Sequence, residues 1–413
     1  GAAAAAEFDR AALATQVGGA PVGYSNNTDD WLLYGKARIG DLRMGVQTWR
    51  RSEGTIGWFP DDREGSAENG ALWIPRHTFL YLKYDKSIND NWLLTSFTRY
   101  KSHSLDEENK IFIFRSYAGE GRRGLDSLVD DVPSDWADIF FFRISKELRT
   151  ELKALYSPSE RFNLVSGVEL RNGFIQVNYV TSFRTPFAAE NGQPGTVVDA
   201  EGNTLQGDNH HNQRDIGFYS QASYRPTRRL KLILGGRLDN NQVRETEGYG
   251  TVFNSRAAAV YTPGPFVLKA IYAEAFKAAS NWAKFSTSPS RQLTNPELDP
   301  EKVRNVDLSL GWQAAPGLFV DAVGYWSRYS DIVGTAKVVL NGNETTQNQP
   351  LGQLRIGGVQ ANGEWKLGEH RVYANYTFTD SKITEDAQGR SVDIPMGDIA
   401  RHRFNLGATL ALP

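Results

Sequence analysis

A two-residue period runs along most of this chain. Leu230, Leu232, Leu234 and Leu238 fall on one face with Gly236 among them, while Lys231, Arg237 and Asp239 fall on the other. The same alternation sets Val306, Leu308, Leu310 and Trp312 against Asn305, Asp307 and Ser309. It recurs in Val372, Ala374, Tyr376 and Phe378, and again in Phe404, Leu406, Ala408, Leu410 and Leu412. Such alternation marks strands with one apolar and one polar face. The stretches exceed the roughly five to six residues of a globular strand. Their apolar faces end in aromatics, as lipid-facing strands do at membrane interfaces. A soluble sandwich alternates too, so the connections must decide.

Tight links sit at Gly40-Asp41, Asn89-Asp90, Ser157-Pro158-Ser159, Pro226-Thr227, Pro263-Gly264-Pro265, Pro316-Gly317 and Gly368-Glu369. Longer polar stretches lie between them, around 52–75, 103–136, 181–213, 279–301, 334–350 and 382–399. Outer-membrane barrels alternate in this way, with short periplasmic turns at one end and large external loops at the other. A compact soluble domain rarely carries so many long loops on one side. The pattern predicts about fifteen strands, near 30–40, 41–51, 77–87, 91–103, 138–156, 161–180, 214–225, 229–242, 252–262, 265–277, 302–314, 317–332, 352–366, 370–382 and 400–413. Ser145 to Tyr156 also reads as an amphipathic helix through Leu148, Leu152 and Leu155. As a strand it turns Leu148, Leu152, Ala154 and Tyr156 outward and Arg149, Glu151 and Lys153 inward, and its place before a tight turn favours the strand. The predicted fold is all-β, a transmembrane antiparallel barrel. Closed bacterial single-chain barrels have an even strand count, because an open edge in lipid leaves backbone groups unpaired. The expectation is therefore an incomplete barrel over 30–413, continued by further sequence or closed by another chain, behind a tail or loop at 1–29.

Composition adds exclusions. Mean hydropathy is −0.47, and no apolar run approaches the ~20 residues of a membrane helix. A barrel tolerates that average because half of each strand faces a polar lumen. Aromatics make up 12% and glycines number 39, as expected for girdled, bending strands. There is no cysteine, which removes disulfides, thiolate zinc sites and cysteine nucleophiles. The net charge of −2, from 46 basic and 48 acidic residues, speaks against a nucleic-acid partner. Gly1–Ala6 lacks the basic start and leucine-rich core of a signal peptide and reads as a tag or linker.

Three segments carry a family resemblance. They are Glu274-Ala275-Phe276-Lys277-Ala278-Ala279-Ser280, Asn295-Pro296-Glu297-Leu298-Asp299-Pro300-Glu301-Lys302, and Val306-Asp307-Leu308-Ser309-Leu310-Gly311. Together they resemble the barrel of TonB-dependent receptors, with Phe276 opening a loop and Asn295, Pro296 and Leu298 closing it. Lys277 and Ala279 stand where the family usually has Arg and Pro. Tyr325–Ile332, Ile394-Pro395 and Arg401–Asn405 resemble later strands of the same barrel. The resemblance implies a plugged 22-stranded barrel in the outer membrane of a Gram-negative bacterium. It implies uptake of a scarce nutrient, such as a siderophore, metal complex, cofactor or glycan. It also implies as partners the TonB complex, through a plug not seen in this sequence, outer-membrane lipid and lipopolysaccharide, and a small-molecule ligand, with no resident cofactor and no enzyme activity.

Candidate ligand contacts lie in the expected external loops. Trp58, Phe59, Trp73 and Trp282 are aromatics whose exposure needs a partner, either a ligand or a neighbouring loop. His210 and His211, the only paired histidines, suit a metal or haem iron or an ordinary solvated loop. Asp61-Asp62, Asp106-Glu107-Glu108 and Asp130-Asp131 suit calcium or simple hydration. Gly119-Glu120-Gly121-Arg122-Arg123-Gly124 matches a dinucleotide pattern, but Leu125 to Asp135 is short and acidic and ends at Pro133, leaving no helix to complete it. No hydrolase or P-loop motif is present. A scaffold barrel within a surface assembly and a diffusion porin stand as alternatives to the receptor.

Overall fold

The computed structural model describes residues 28–54, 72–106, 108–114, 136–176, 180–183, 210–244, 248–285, 293–340, 342–386 and 390–411. In chain order they form β1 (Trp31–Ile39), β2 (Leu42–Arg50), β3 (Glu53–Gly54), β4 (Leu72–Trp73), β5 (Pro75–Asn89), β6 (Trp92–Leu105), β7 (Lys110–Phe114), β8 (Trp136–Ser159), β9 (Phe162–Gln176), β10 (Val180–Phe183) and β11 (His210–Tyr224). They continue as β12 (Leu230–Val243), β13 (Gly250–Tyr261), β14 (Phe266–Lys277), the short helix α1 (Asn281–Phe285), β15 (Glu301–Ala315) and β16 (Leu318–Ser330). The last are β17 (Val333–Leu340), β18 (Asn343–Pro350), β19 (Gln353–Leu367), β20 (His370–Glu385), β21 (Ser391–Pro395) and β22 (His402–Thr409).

Fifteen of these strands pair antiparallel in chain order: β1, β2, β5, β6, β8, β9, β11, β12, β13, β14, β15, β16, β19, β20 and β22. They match the fifteen predicted segments. The ambiguous stretch at Ser145 to Tyr156 is strand, paired on both sides within β8. The remaining short strands extend the wall at its long-loop end, or stand apart as the β17–β18 hairpin. Two expectations need correction. The polar stretches are not all loop, and β11 starts at His210 rather than at 214.

The two ends differ because their turns differ. At the short-turn end, Gly40 and Gly317 adopt φ of 56° and 79°, a left-handed backbone that glycine reaches without steric cost. Asn89 Oδ1 accepts from the amides of Asn91 and Trp92 at 2.9 and 3.0 Å, and Thr227 Oγ1 accepts from Arg229 and Leu230 at 3.2 and 3.1 Å. These side chains supply the hydrogen bonds that a tight turn withholds.

The wall's outward face is apolar and bare. Leu234, Leu308, Phe404 and Leu406 are 68%, 60%, 64% and 67% exposed, and Leu82, Leu148, Leu152, Phe218, Leu232 and Val359 share that face. Among the described residues, buried hydrophobics are few by comparison. A water-soluble domain inverts this ratio, and a continuous apolar band of this kind requires lipid.

Candidate functional site

The inward face carries a network of paired charges. Arg99 meets Glu147 at 3.3 Å, Glu147 meets Arg171 at 3.7 Å, and Arg171 meets Asp215 at 2.5 Å. Asn241 Nδ2 donates to the same Asp215 at 2.6 Å. A parallel line joins Arg149 to Glu169, Glu169 to Arg237 at 3.5 Å, and Arg237 to Asp239 at 2.6 Å. Tyr219 donates to Glu151 at 2.5 Å, and the Arg237 guanidinium lies 5.7 Å from the Tyr219 ring centre. Five strands, from β6 to β12, are thus laced by alternating charge. The strand period makes this possible by sending every second residue inward, and antiparallel register sets opposite charges side by side.

Several lumen side chains lie flat against the wall. Tyr81 covers Gly45, Tyr219 covers Gly167, Tyr325 covers Gly358 and Tyr373 covers Gly407, each pair directly opposite in register. A Cβ at any of these glycines would strike the ring. The lumen is therefore kept wide by pairing rings with glycine. Beside Tyr219 and Arg237 the wall holds a cavity of about 510 Å³, also lined by Asp239, Asn254, Arg256 and Glu274. It lies where β13 and β14 part, since their pairing stops at Arg256 opposite Ala273. Beyond that point the Glu274 carboxylate replaces the missing strand, accepting from the Ser255 amide at 3.1 Å, Ser255 Oγ at 2.8 Å and Tyr272 Oη at 2.7 Å.

The long-loop end is capped by α1 and the β17–β18 hairpin. Ser280 Oγ accepts from the Ala283 amide at 3.1 Å and starts the helix. Phe285 is buried against Val243 and Ile175 and stacks on His211 with ring centres 3.8 Å apart. Asn295 Nδ2 donates to the Asn348 carbonyl at 2.8 Å, and Asn348 Nδ2 donates to the Ala283 carbonyl at 3.0 Å. Gln347 Nε2 donates to the Thr294 carbonyl at 2.8 Å. These amide side chains tie helix, loop and hairpin into one unit. Lys284 is buried within it, and burial pulls its ammonium below the ordinary lysine value, against an opposing pull from Asp299. Burial, and then the nearby Asp215 and Asp239, push the Tyr249 phenol upward.

The sequence-predicted residues distribute unevenly over this architecture. Trp282 is 53% exposed on α1 and Trp73 is 36% exposed on β4. Trp58, Phe59, Asp61-Asp62, Asp130-Asp131 and the glycine-rich run at 119–124 lie outside the described residues. His210 and His211 start β11, and His211 is buried under Phe285. Among the described residues no group of three or more His, Asp or Glu gathers as metal ligands do. Of the acidic run at 106–108, Asp106 pairs with Arg76 and, at 3.7 Å, with Arg50. Phe276 meets Tyr249 edge-on at 5.5 Å. Asn295 holds the cap, and Leu298 is buried beneath it with its amide donating to the Asn295 carbonyl at 3.4 Å. Pro296 lies between them. The lumen ladder has a sequence signal, alternating Arg, Glu and Asp, but its pairs are set by register between strands far apart in the chain.

Residues 11–412 match the family described as TonB dependent receptor-like, beta-barrel. An iron-regulated outer membrane virulence protein of Vibrio cholerae is 21% identical over 231 residues, covering 52% of this chain and 34% of that protein. Among solved structures, the copper transporter OprC aligns with a TM-score of 0.57 at 14% identity, covering 95% of this chain and 57% of that one. The FrpB iron transporter from Neisseria meningitidis aligns at 0.54 with 11% identity, covering 90% and 56%. The chain therefore spans 34% of the curated relative's length and little more than half of these solved chains. At such identities the structural likeness establishes the fold.

Proposed function

The chain belongs to the family of TonB-dependent receptor β-barrels, and from that premise we propose that it forms the wall of a receptor importing an iron-bearing small molecule. A chain of this family resides in the outer membrane of a Gram-negative bacterium. The observation that carries the reading is the pairing of a bare apolar outer face with a lumen face of laced charges. The first suits lipid, and the second suits a hydrated interior in which polar cargo and plug can move. In this reading residues 30–413 form the wall and 1–29 precede it. Transport depends on the TonB complex acting through a plug, and the protein performs no covalent chemistry. Iron is favoured because the Vibrio cholerae relative is described as iron-regulated and the Neisseria meningitidis structure as an iron transporter. Trp282, exposed on α1, is proposed as a ligand contact, with Trp73 as a second.

The test is uptake of a radiolabelled ferric siderophore by cells expressing the receptor, with and without a functional TonB complex. Uptake is expected to vanish when TonB is removed. Unchanged uptake, or a steady open-channel conductance of the purified protein in a planar bilayer, would identify a diffusion pore instead. Stable co-purification with surface subunits and no ligand binding would identify a scaffold.

A further inference from the structure

The ladder between β13 and β14 is half as long as the ladders beside it. β13 pairs with β12 over twelve residues, and β14 pairs with β15 over twelve. With each other they pair only from Arg256 opposite Ala273 to Tyr261 opposite Leu268. Among the described residues, Gly250–Ser255 therefore pair with β12 alone, and Glu274–Lys277 with β15 alone. A wall otherwise zipped by backbone hydrogen bonds has a notch here, open toward the long-loop end.

Side chains close the notch. The Glu274 side chain is only 20% exposed; it accepts from the Ser255 amide and hydroxyl and from Tyr272 Oη, and pairs with Arg304 at 3.2 Å. Above it Tyr249, in the turn before β13, meets Phe276 edge-on across the gap. Contacts of this kind part without breaking a strand ladder, so the wall opens here more readily than along any fully paired seam.

The cavity beside the notch reaches through the wall. Arg237, Asn254 and Arg256 line it on the lumen side, and Glu274 and Phe276, which point outward on β14, line it at the notch. The notch begins one outward step above Tyr272 and Val306, and Val306 lies opposite Trp326, which is exposed as an interfacial aromatic is. The gap thus faces water at the external margin of the apolar band, where unpaired backbone groups are solvated. It does not face hydrocarbon.

We propose that the β13–β14 notch is a side port into the lumen, with Glu274 as its latch. When the latch releases, β13 and β14 part above the Arg256–Ala273 pair, and the cavity joins the outside water without the cap moving. The lining carries both signs of charge, Arg237 and Arg256 against Asp239 and Glu274, which suits small neutral or zwitterionic solutes over ions of one sign. The cavity volume of about 510 Å³ bars larger molecules. In the receptor reading a plug closes the lumen beneath, so the port gives entry to the lumen and not a channel across the membrane. The port depends on the wall and not on which cargo is imported.

The chain has no cysteine, so one introduced thiol reports on access. N254C is the reporter in the cavity, and T377C, facing the lumen on β20 away from the notch, is the control. The full-length receptor in outer membranes is labelled with iodoacetamide, which is small and neutral, and with a maleimide carried on a bulky polymer. Adding E274A should speed iodoacetamide labelling of N254C about tenfold, the factor that one or two lost hydrogen bonds supply, and leave T377C unchanged. S255A keeps the carboxylate but loses one donor, and should give a smaller rise. E274Q keeps an acceptor for Ser255 and should stay near the wild-type rate. An unchanged N254C rate in both E274A and S255A would overturn the proposal. So would an equal rise at T377C, which would mean that the whole wall loosens. An equal rise for the bulky maleimide would also overturn it, by showing that the cap and not the notch had opened. These rates involve neither TonB nor siderophore, so failure of the port is distinguishable from failure of the transport reading.

Discussion

Phe285 sits where β9, β11, β12 and α1 converge, touching Ile175, Val243 and the His211 ring. Its loss leaves a cavity that those rigid strands cannot close. Phe285→Ala is expected to destabilise the cap by about 3–5 kcal/mol. The wall holds its own ladder, so the cost should stay local. Hydrogen exchange over 281–285 and 293–298 should accelerate while exchange in β8 and β9 is unchanged; equal exchange there would show that the ring does not anchor the cap. None of this was legible from the residues. His211 lies in a polar run, Asp208 to Asn212, which reads as solvated loop, and its burial is imposed by a ring 74 positions away in the chain. The motif residues Asn295 and Leu298 were legible as a pattern, but their task, tying α1 to the β17–β18 hairpin, appears only with the hydrogen bonds in place.

At the scale of strands, position within the two-residue period decides the effect of a substitution. Leu152 and Glu151 are neighbours on β8. Leu152 faces outward and is 53% exposed, while Glu151 faces inward and accepts from Tyr219. Leu152→Arg places a charge in the apolar band and is expected to cost about 2–4 kcal/mol if it lies near the bilayer midplane. Glu151→Gln keeps an acceptor for the Tyr219 hydroxyl and should cost less than about 1.5 kcal/mol. Urea-dependent folding into liposomes measures both, and similar costs for the two would mean that β8 does not divide lipid from lumen. The wall strands were readable because lipid on one side and water on the other write opposite polarities into alternate residues. The external strands lack that contrast. β18 is Asn343-Glu344-Thr345-Thr346-Gln347-Asn348-Gln349-Pro350, polar on both faces, and α1 has only five residues, too few for a helical period to show.

For the whole molecule, the decisive quantity is the edge. Among the described residues, β1 pairs only with β2, and β22 pairs only with β20. In water such edges are tolerable, but in lipid each unpaired amide or carbonyl costs several kcal/mol, so a wall cannot stand in a bilayer with open sides. Leu33 on β1 and Leu406 on β22 are both bare on these outermost strands, so lipid would reach the backbone beside them. Both edges must therefore be paired in the membrane, whichever strands do the pairing. The outward-directed amides of β1 and β22 are expected to exchange as slowly in the bilayer as those of β11, which is paired on both sides. Fast exchange at either edge, with β11 protected, would mean that the wall opens sideways to lipid. That would conflict with a sealed receptor, because the charged lumen face of Arg171, Asp215 and Arg237 would then border hydrocarbon with no water to solvate it.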